Sequence, residues 1–284
     1  MSQKIGLLVC GNSGIDYLKV DFPFKIMRST LLLDKKEYED FVDITAEEFY
    51  DVVVKNPNID LSTSQIATGK VAEIYEEFKA EGYTDVIAVT IAAKLSGTYQ
   101  GAVLAKDMVE GINVHVVDSK SVSYGQVYLV LEAIEMIKAG LPAEEIFNKL
   151  NELRDKITIY VLVDTLKYLV KNGRLSAASG LIGTLLKIKP LLKIQPDGSL
   201  QAYEKIRTTS KARKRLIEII EEEIDGKRVR LFLAYTNNKD EAEAIKADLL
   251  EKYIGLEVIV VPLTPVVGAH AGPGTIGVGY VELD

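Results

Sequence analysis

Cysteine is nearly absent from the sequence, and this limits the chemistry open to the chain. Cys10 is the one cysteine among 284 residues, which excludes an intrachain disulfide and a cysteine-based zinc cluster. A chain without disulfides is consistent with a reducing cellular interior. Cys10 ends an apolar run, so we interpret it as a small buried hydrophobic residue rather than as a reactive thiol.

Histidine is also scarce, since the chain contains only His115 and His270. Two histidines exclude a multi-histidine metal site. His115 lies within a strand-like run, which indicates a packing role. His270 lies among glycines and small residues, where the backbone can approach a ligand closely. We therefore interpret His270 as a functional residue that can donate a hydrogen bond to an oxyanion.

Long apolar segments are missing as well. No uninterrupted apolar stretch approaches the roughly 18 residues that a membrane span requires, and the N-terminal segment lacks the pattern of a signal peptide. The net charge of −7, with acidic and basic residues interspersed, does not indicate a nucleic-acid-binding face. These features predict a cytoplasmic protein that neither binds nucleic acid nor inserts stably into a membrane.

The common catalytic motifs are absent too. The sequence contains no phosphate-binding G-x-x-x-x-G-K-[ST] loop, no H-E-x-x-H and no G-x-S-x-G. Residues 272–277 do match G-x-G-x-x-G. A dinucleotide site needs a helix after this motif, whereas a strand is predicted here, so we reject that interpretation.

What the sequence does contain is a regular alternation of strands and helices. The length of 284 residues favours two domains. In the first half the alternation predicts a doubly wound, mostly parallel sheet. In the second half the turn signal at 196–199 predicts a hairpin, and hence a mixed sheet. We therefore predict an α/β fold with an N-terminal α/β domain (1–156) and a C-terminal α/β domain (157–284).

The segment 85–100 is the most informative stretch. It predicts a buried strand (86–91), a bend, and a helix that begins around Ser96, Gly97 and Thr98 and continues to about residue 110. Such a bend gathers backbone N–H groups and hydroxyls, which suits an anionic or carboxyl ligand. Ligands in doubly wound sheets lie at the carboxyl ends of the strands. Ser119 falls there, and Thr63 falls there too, in a predicted polar loop (61–65).

Two arginines remain ambiguous on pattern alone. Arg174 follows Gly173 at a predicted helix end, where a cation also complements the helix dipole. Arg207 follows a predicted strand, where an ordinary solvated charge is an equally good interpretation.

Six groups of short segments occur in one order along the chain. They are 63–65, then 95–100, then 117–119 with 125–126, then 164–166 with 173–176, then 188–192 with 197–198, and finally 270–274. Together they resemble the DegV family, which includes the fatty-acid-binding subunits of bacterial fatty acid kinase. The resemblance covers essentially the whole chain.

The resemblance implies two α/β domains with a long-chain fatty acid buried between or within them, and no cofactor. It implies that Thr63 and Ser96 hold the carboxyl group. The bound acyl group would be presented to the catalytic subunit of a separate, ATP-dependent fatty acid kinase, which makes the chain a carrier and not an enzyme. Transient contact with a membrane is compatible with this role. The implied ligand-binding residues are Thr63, Ser64, Ser96, Gly97, Thr98, Ser119, Arg174, Arg207, His270 and Gly272.

The sequence departs from the family pattern at two places. Asn12 stands where the family often has an aspartate, so no role for that carboxylate carries over. Ala92 and Ala93 stand where many members have paired serines, which leaves fewer hydroxyls around Ser96.

Two alternative functions remain open on sequence alone. One is an acyl hydrolase that uses Ser96 as nucleophile and His270 as base. The other is a lipid-sensing interaction module in which the lipid is only structural.

Overall fold

The computed structural model describes residues 3–175 and 189–283. The strands within these ranges fall into three sheets. In chain order they are β1 (Ile5–Cys10), β2 (Lys25–Met27), β3 (Thr30–Leu33), β4 (Lys36–Glu39), β5 (Leu61–Ser64), β6 (Asp85–Thr90), β7 (Asn113–Asp118), β8 (Ile157–Leu162), β9 (Lys189–Ile194), β10 (Leu200–Ile206), β11 (Val229–Tyr235), β12 (Glu257–Pro262) and β13 (Ile276–Glu282).

The helices begin at recognisable sequence signals. The sequence Thr45-Ala46-Glu47-Glu48 predicts a capping box at the start of a helix. The structure confirms it, because Glu48 N donates to Thr45 Oγ1 at 3.4 Å and Thr45 N donates back to the Glu48 carboxylate at 2.9 Å. The α-helices are α1 (Ala46–Lys55), α2 (Thr68–Ala80), α3 (Thr98–Lys106), α4 (Tyr124–Lys138), α5 (Ala143–Leu153), α6 (Lys167–Lys171), α7 (Thr209–Ile224), α8 (Lys239–Lys252) and α9 (Pro265–Ala271).

The first sheet has the strand order β2-β1-β6-β7, and all of its strands are parallel. Helices cover both faces: Leu7 and Val9 pack into the core beneath α4 and α5, whereas Leu8 and Cys10 pack beneath α2 and α3. This arrangement explains why β1 is continuously apolar, and it confirms the predicted doubly wound sheet. Cys10 is fully buried, and burial raises the pKa of its thiol to about 11.

The second sheet has the order β10-β9-β8-β13-β11-β12. Strands β11 and β12 pair in parallel, whereas the other neighbours pair antiparallel, which confirms the predicted mixed sheet. The predicted hairpin joins β9 to β10, with Gly198 at a φ of 82°. Helices α7 and α8 pack on one face of this sheet. The other face contributes to the core that includes α4 of the first half.

A third, small antiparallel sheet of order β4-β3-β5 changes one expectation. Residues 61–65 are not a loop, because 61–64 form β5, with Thr63 opposite Leu31 of β3. Leu61 is buried and Thr63 half-buried, whereas Ser62 and Ser64 are exposed, so the segment has the two-residue period of a strand. The period is hidden in the sequence because three of the four residues are hydroxyl-bearing.

Helix α9 is an element for which the sequence gives no prediction. Thr264 caps its start, since the Thr264 hydroxyl accepts from Val267 N at 3.4 Å. Pro265 occupies the first helical position, where its missing N–H is not needed. Gly272 ends the helix with a φ of 80°, a left-handed value that favours glycine. The consequence is that His270 lies in the last turn of a helix instead of in a loop.

The predicted boundary between domains at residue 156 remains a prediction. Strand β8 begins at Ile157, so the first and second sheets lie on either side of this point in sequence. The two halves nevertheless share one core, in which the ring of Tyr124 lies 5.2 Å from the ring of Phe232. The sequence also predicts a helix from 174 to 186, and from residue 176 onward this segment lies outside the described residues.

We predict that Tyr50→Phe lowers the free energy of unfolding by about 1–3 kcal/mol, because it leaves a buried carbonyl oxygen without its donor. The Tyr50 hydroxyl donates to Leu263 O at 3.0 Å and so connects α1 to the residues that precede α9. Urea unfolding measures the change. Tyr83→Phe is the matched control, since the structure shows no hydrogen bond from its hydroxyl to any described residue. Equal stability of the two variants would contradict the prediction.

Candidate functional site

A cavity lies between the carboxyl edge of the first sheet and the inner face of the second. The space between its lining atoms, including the open end, is about 1030 Å³. Most of the lining is apolar, and the second sheet supplies much of it. Side chains from β8, β9 and β11 form this wall, among them Ile159, Val161, Ile194, Phe232 and Ala234.

The polar side chains that the sequence singled out gather at this cavity. Five of the predicted residues line it, although they come from β5, the β6–α3 bend, the segment after α6, and α9. They are Thr63, Ser64, Ser96, Arg174 and His270.

Thr63 and His270 form the closest of these contacts. Thr63 Oγ1 lies 2.7 Å from His270 Nε2, which joins β5 to the last turn of α9. A neutral imidazole carries one proton, so the hydrogen bond has two forms. If Nε2 carries the proton, it donates to Thr63, and the threonine hydroxyl proton is then available to a ligand. The other ring nitrogen, Nδ1, is buried and has no partner among the described residues.

His270 is held in its neutral form. Burial lowers the pKa of its imidazole to about 4, and the nearby positive charge of Arg174 acts in the same direction. At neutral pH the ring therefore acts as a hydrogen-bonding group and not as a cation.

Ser96 is supported by the helix that follows it. Thr98 N donates to Ser96 Oγ at 3.3 Å, and the Ser96 and Thr98 hydroxyl oxygens lie 2.9 Å apart. Thr98 itself is buried, so it acts on the cavity through Ser96. Gly97 is exposed, and a Cβ at this position would lie 2.3 Å from Gln65 Oε1. Glycine thus lets the Gln65 side chain lie over the start of α3.

Arg174 is the one formally charged side chain in the described lining of the cavity. Its Nε donates to Leu95 O at 3.2 Å, and one terminal nitrogen donates to Asn172 O. Two backbone carbonyls therefore fix the guanidinium beside the Ser96 bend. A fixed cation at this end of an apolar cavity favours an anionic group there.

Like Gly97 and Thr98, three further predicted residues do not line the cavity. Ser119 is fully buried, and its hydroxyl donates to Ser121 O and accepts from Ser121 N, which closes a local turn. Arg207 is exposed just after β10. Gly272 ends α9, and a Cβ there would lie 2.3 Å from the Tyr168 ring. These positions support the surrounding backbone or lie on the surface.

The structure also adds lining residues that sequence reasoning missed. Asn12 follows β1, Ser29 follows β2 and Ser123 precedes α4, so all three lie at the carboxyl edge of the first sheet. The edge rule that pointed to Ser119 applies equally to Asn12, and it would have found this residue. Gln65 and Thr275 complete the polar lining.

Ser96 and His270 are not hydrogen-bonded to each other in the structure. His270 bonds to Thr63, whereas Ser96 bonds to Thr98, so the pairing of nucleophile and base is not formed. Within 3–175 and 189–283 no cluster of histidine, cysteine or carboxylate side chains is suited to a metal ion. In the same ranges no helix has the length and apolar character needed to span a membrane.

Comparison with known proteins places the chain in a family. A family profile described as an uncharacterised protein of the DegV family matches residues 17–283. The chain belongs to the DegV family. A DegV domain-containing protein of Clostridium acetobutylicum is 36% identical over 282 residues, which cover 97% of this chain and 98% of the relative. The predicted family resemblance is therefore confirmed.

Solved structures of DegV proteins share the whole fold. DegV of Bacillus subtilis, described as a fatty acid binding protein, is 29% identical with a TM-score of 0.88, over 99% of this chain and 100% of that one. A DegV family protein of Thermus thermophilus, described by its fatty acid binding, is 29% identical with a TM-score of 0.86, over 99% and 100%. The predicted two-domain α/β DegV fold class is confirmed by these similarities.

We predict that the DegV-family chain loses stability in acid through His270. The folded-state pKa of about 4 lies below the ordinary 6.5, so the unfolded state binds more protons between these values. The neutral imidazole's contribution is complete above pH 6.5 and is lost as the pH falls toward 4. The difference in unfolding free energy between the parent protein and His270→Gln should shrink by roughly 3 kcal/mol over this interval.

Urea unfolding between pH 7.5 and 4 measures this difference. Because the chain has two histidines, comparing imidazole NMR signals with and without His270→Gln assigns the titration of His270. A His270 signal that titrates near 6.5 would contradict the prediction.

Proposed function

We propose that this DegV-family protein binds a long-chain fatty acid in the cavity, with the carboxyl group at the end formed by Thr63, Ser96, Arg174 and His270. The observation that carries this proposal is the division of the cavity into a long apolar wall and one polar end with a fixed cation. A fatty acid likewise consists of a long apolar chain and one polar carboxyl end. The fatty acid binding described for the Bacillus subtilis and Thermus thermophilus structures supports it.

The two hydroxyls are suited to a carboxylate because each is backed by a second group. Thr63 Oγ1 has His270 Nε2 behind it at 2.7 Å, and Ser96 Oγ has the Thr98 hydroxyl behind it at 2.9 Å. When the backing group donates, the hydroxyl proton of Thr63 or Ser96 is free to donate into the cavity. Two such donors offset the desolvation of a buried carboxylate, which is costly without partners.

The apolar wall accounts for binding strength. Burial of each methylene of an acyl chain contributes about 0.8 kcal/mol. Ala92 and Ala93 add no hydroxyl near Ser96, whose own hydroxyl is backed by Thr98. The polar end therefore fixes the orientation of the ligand, while the wall supplies most of the affinity.

We further propose that the protein is a cytoplasmic carrier and not an enzyme, and that it presents the bound acyl group to a separate, ATP-dependent fatty acid kinase. In that reaction a carboxylate oxygen attacks the γ-phosphorus of ATP, the bond to the bridging oxygen breaks, and acyl phosphate and ADP result. Arg174 is placed to stabilise a phosphate at the same end, because guanidinium groups pair well with phosphate oxygens. Neutral His270 would maintain the hydrogen bond of Thr63. Arg207 is exposed, so its proposed role is contact with the partner or with the transferred phosphate.

We predict that Ser96→Ala and Thr63→Val each weaken fatty acid binding about tenfold, the equivalent of a hydrogen bond to a charged group. Displacement of a fluorescent fatty acid from delipidated protein measures the affinity. Ser62→Ala is the matched control, because Ser62 lies on the same strand as Thr63 but is exposed on the other face. Unchanged affinity in both site variants would remove these hydroxyls from the site.

Denaturing extraction and mass spectrometry test the ligand class itself. We expect a long-chain fatty acid in the extract of the purified protein, or uptake of one on addition. If no fatty acid is found and none binds, the proposed function fails.

A further inference from the structure

Part of the apolar wall of the cavity is built from paired residues on three adjacent strands. Gly277 of β13 lies opposite Val161 of β8 and Ala234 of β11. Residues opposite one another in a sheet project to the same face. All three line the cavity, and two of them are among the smallest residues. The row of Val161, Gly277 and Ala234 therefore forms a shallow trough in the apolar wall.

The next row along the same strands is different. Gly279 of β13 lies opposite Ile159 of β8 and Phe232 of β11. A Cβ at Gly279 would lie 2.2 Å from Cζ of Phe232, so the ring lies directly over the glycine. Phe232 and Ile159 line the cavity, whereas Gly279 is covered. The trough thus meets an aromatic ring one row further along.

The Phe232 ring also packs against a second aromatic ring. The Tyr124 ring of α4 lies 5.2 Å from the Phe232 ring, tilted by 42°. Both side chains are almost fully buried, with 2% and 1% of their surfaces exposed, so the densely packed core begins at this point. Phe232 therefore separates the cavity from the core.

The row of Ile159, Gly279 and Phe232 lies at the end of the apolar wall that is farther from the polar site. Thr275, which directly precedes β13, donates from its hydroxyl to Ala271 O, the residue after His270. Gly279 is four residues beyond Thr275, which is about 13 Å along a strand. A ligand whose carboxyl group lies near His270 would therefore approach Phe232 with its other end.

We propose that Phe232 is a specificity-determining residue, whose ring closes the inner end of the cavity and limits the length of the acyl chain. This inference rests on the proposed function. The Ala234–Gly277 trough receives the distal part of the chain, and the ring over Gly279 stops it. Neither Phe232 nor Gly279 takes part in any step at the carboxyl group.

Dissociation constants for a series of saturated fatty acids test the proposal on delipidated full-length protein. Affinity should rise about fourfold per methylene up to an optimal length and then fall, since each further methylene meets the ring. In Phe232→Ala the optimal chain should be at least two carbons longer than in the parent protein. This variant should bind the longer chain at least tenfold more tightly than it binds the chain length that is optimal for the parent. Phe232→Leu is the second variant, because truncation of a buried ring to alanine is demanding for folding.

Two further variants sharpen the experiment. Gly277→Val fills the trough, since a Cβ there has no neighbour closer than 3.7 Å, and it should move the optimum to shorter chains. Phe78→Leu is the matched control: Phe78 is also buried and also lies over a strand glycine, Gly6, but it packs on the first sheet outside the cavity lining. Its chain-length optimum should equal that of the parent protein.

The outcomes distinguish a failure of the proposed function from a failure of the chain-length inference. If the parent protein binds no fatty acid of any length, the proposed function fails. If the parent binds them and both Phe232 variants retain its optimum, the chain-length inference is overturned. Uniformly weaker binding without a shift in optimum also overturns it, because the ring would then contribute packing alone.

Discussion

The structure depends on the packing of the carboxyl edge of one sheet against the face of another. Residues such as Asn12 and Ile91 lie just after strands of the parallel sheet, and the mixed sheet has an apolar face that carries Ile159 and Phe232. The cavity lies between this edge and this face. It is apolar on the side of the mixed sheet, and hydroxyls and amides line it where the strands of the parallel sheet end.

The polar end arises because two short elements meet there. Strand β5 supplies Thr63 and helix α9 supplies His270, although the two residues are 207 positions apart in sequence. The bond between Tyr50 and Leu263 connects α1 to the residues before α9, and so fixes the helix relative to the small sheet. Burial keeps the imidazole neutral, so the site orients hydroxyls and leaves positive charge to Arg174.

Sequence reasoning recovered those parts of the fold whose patterns are strong. The alternation of strands and helices in the first half and the hairpin signal at 196–199 predicted the two large sheets correctly. Strand β5 escaped because its alternation is carried by hydroxyl residues, and α9 because its small residues show no periodicity. Five side chains that line the cavity followed from family resemblance and local chemistry. Asn12 was missed, although the rule for the carboxyl ends of strands applies to it as it does to Ser119.

Because the Phe232 ring lies over Gly279, the side chains at positions 232 and 279 compete for the same space. A side chain added at 279 has room only if the residue at 232 becomes smaller, and a small residue at 232 leaves a hollow that a side chain at 279 can refill. Either strand can thus contribute the bulk at this point of the sheet. Among DegV proteins, the identities of these two positions should therefore vary together, and neither alone describes the shape of the inner end.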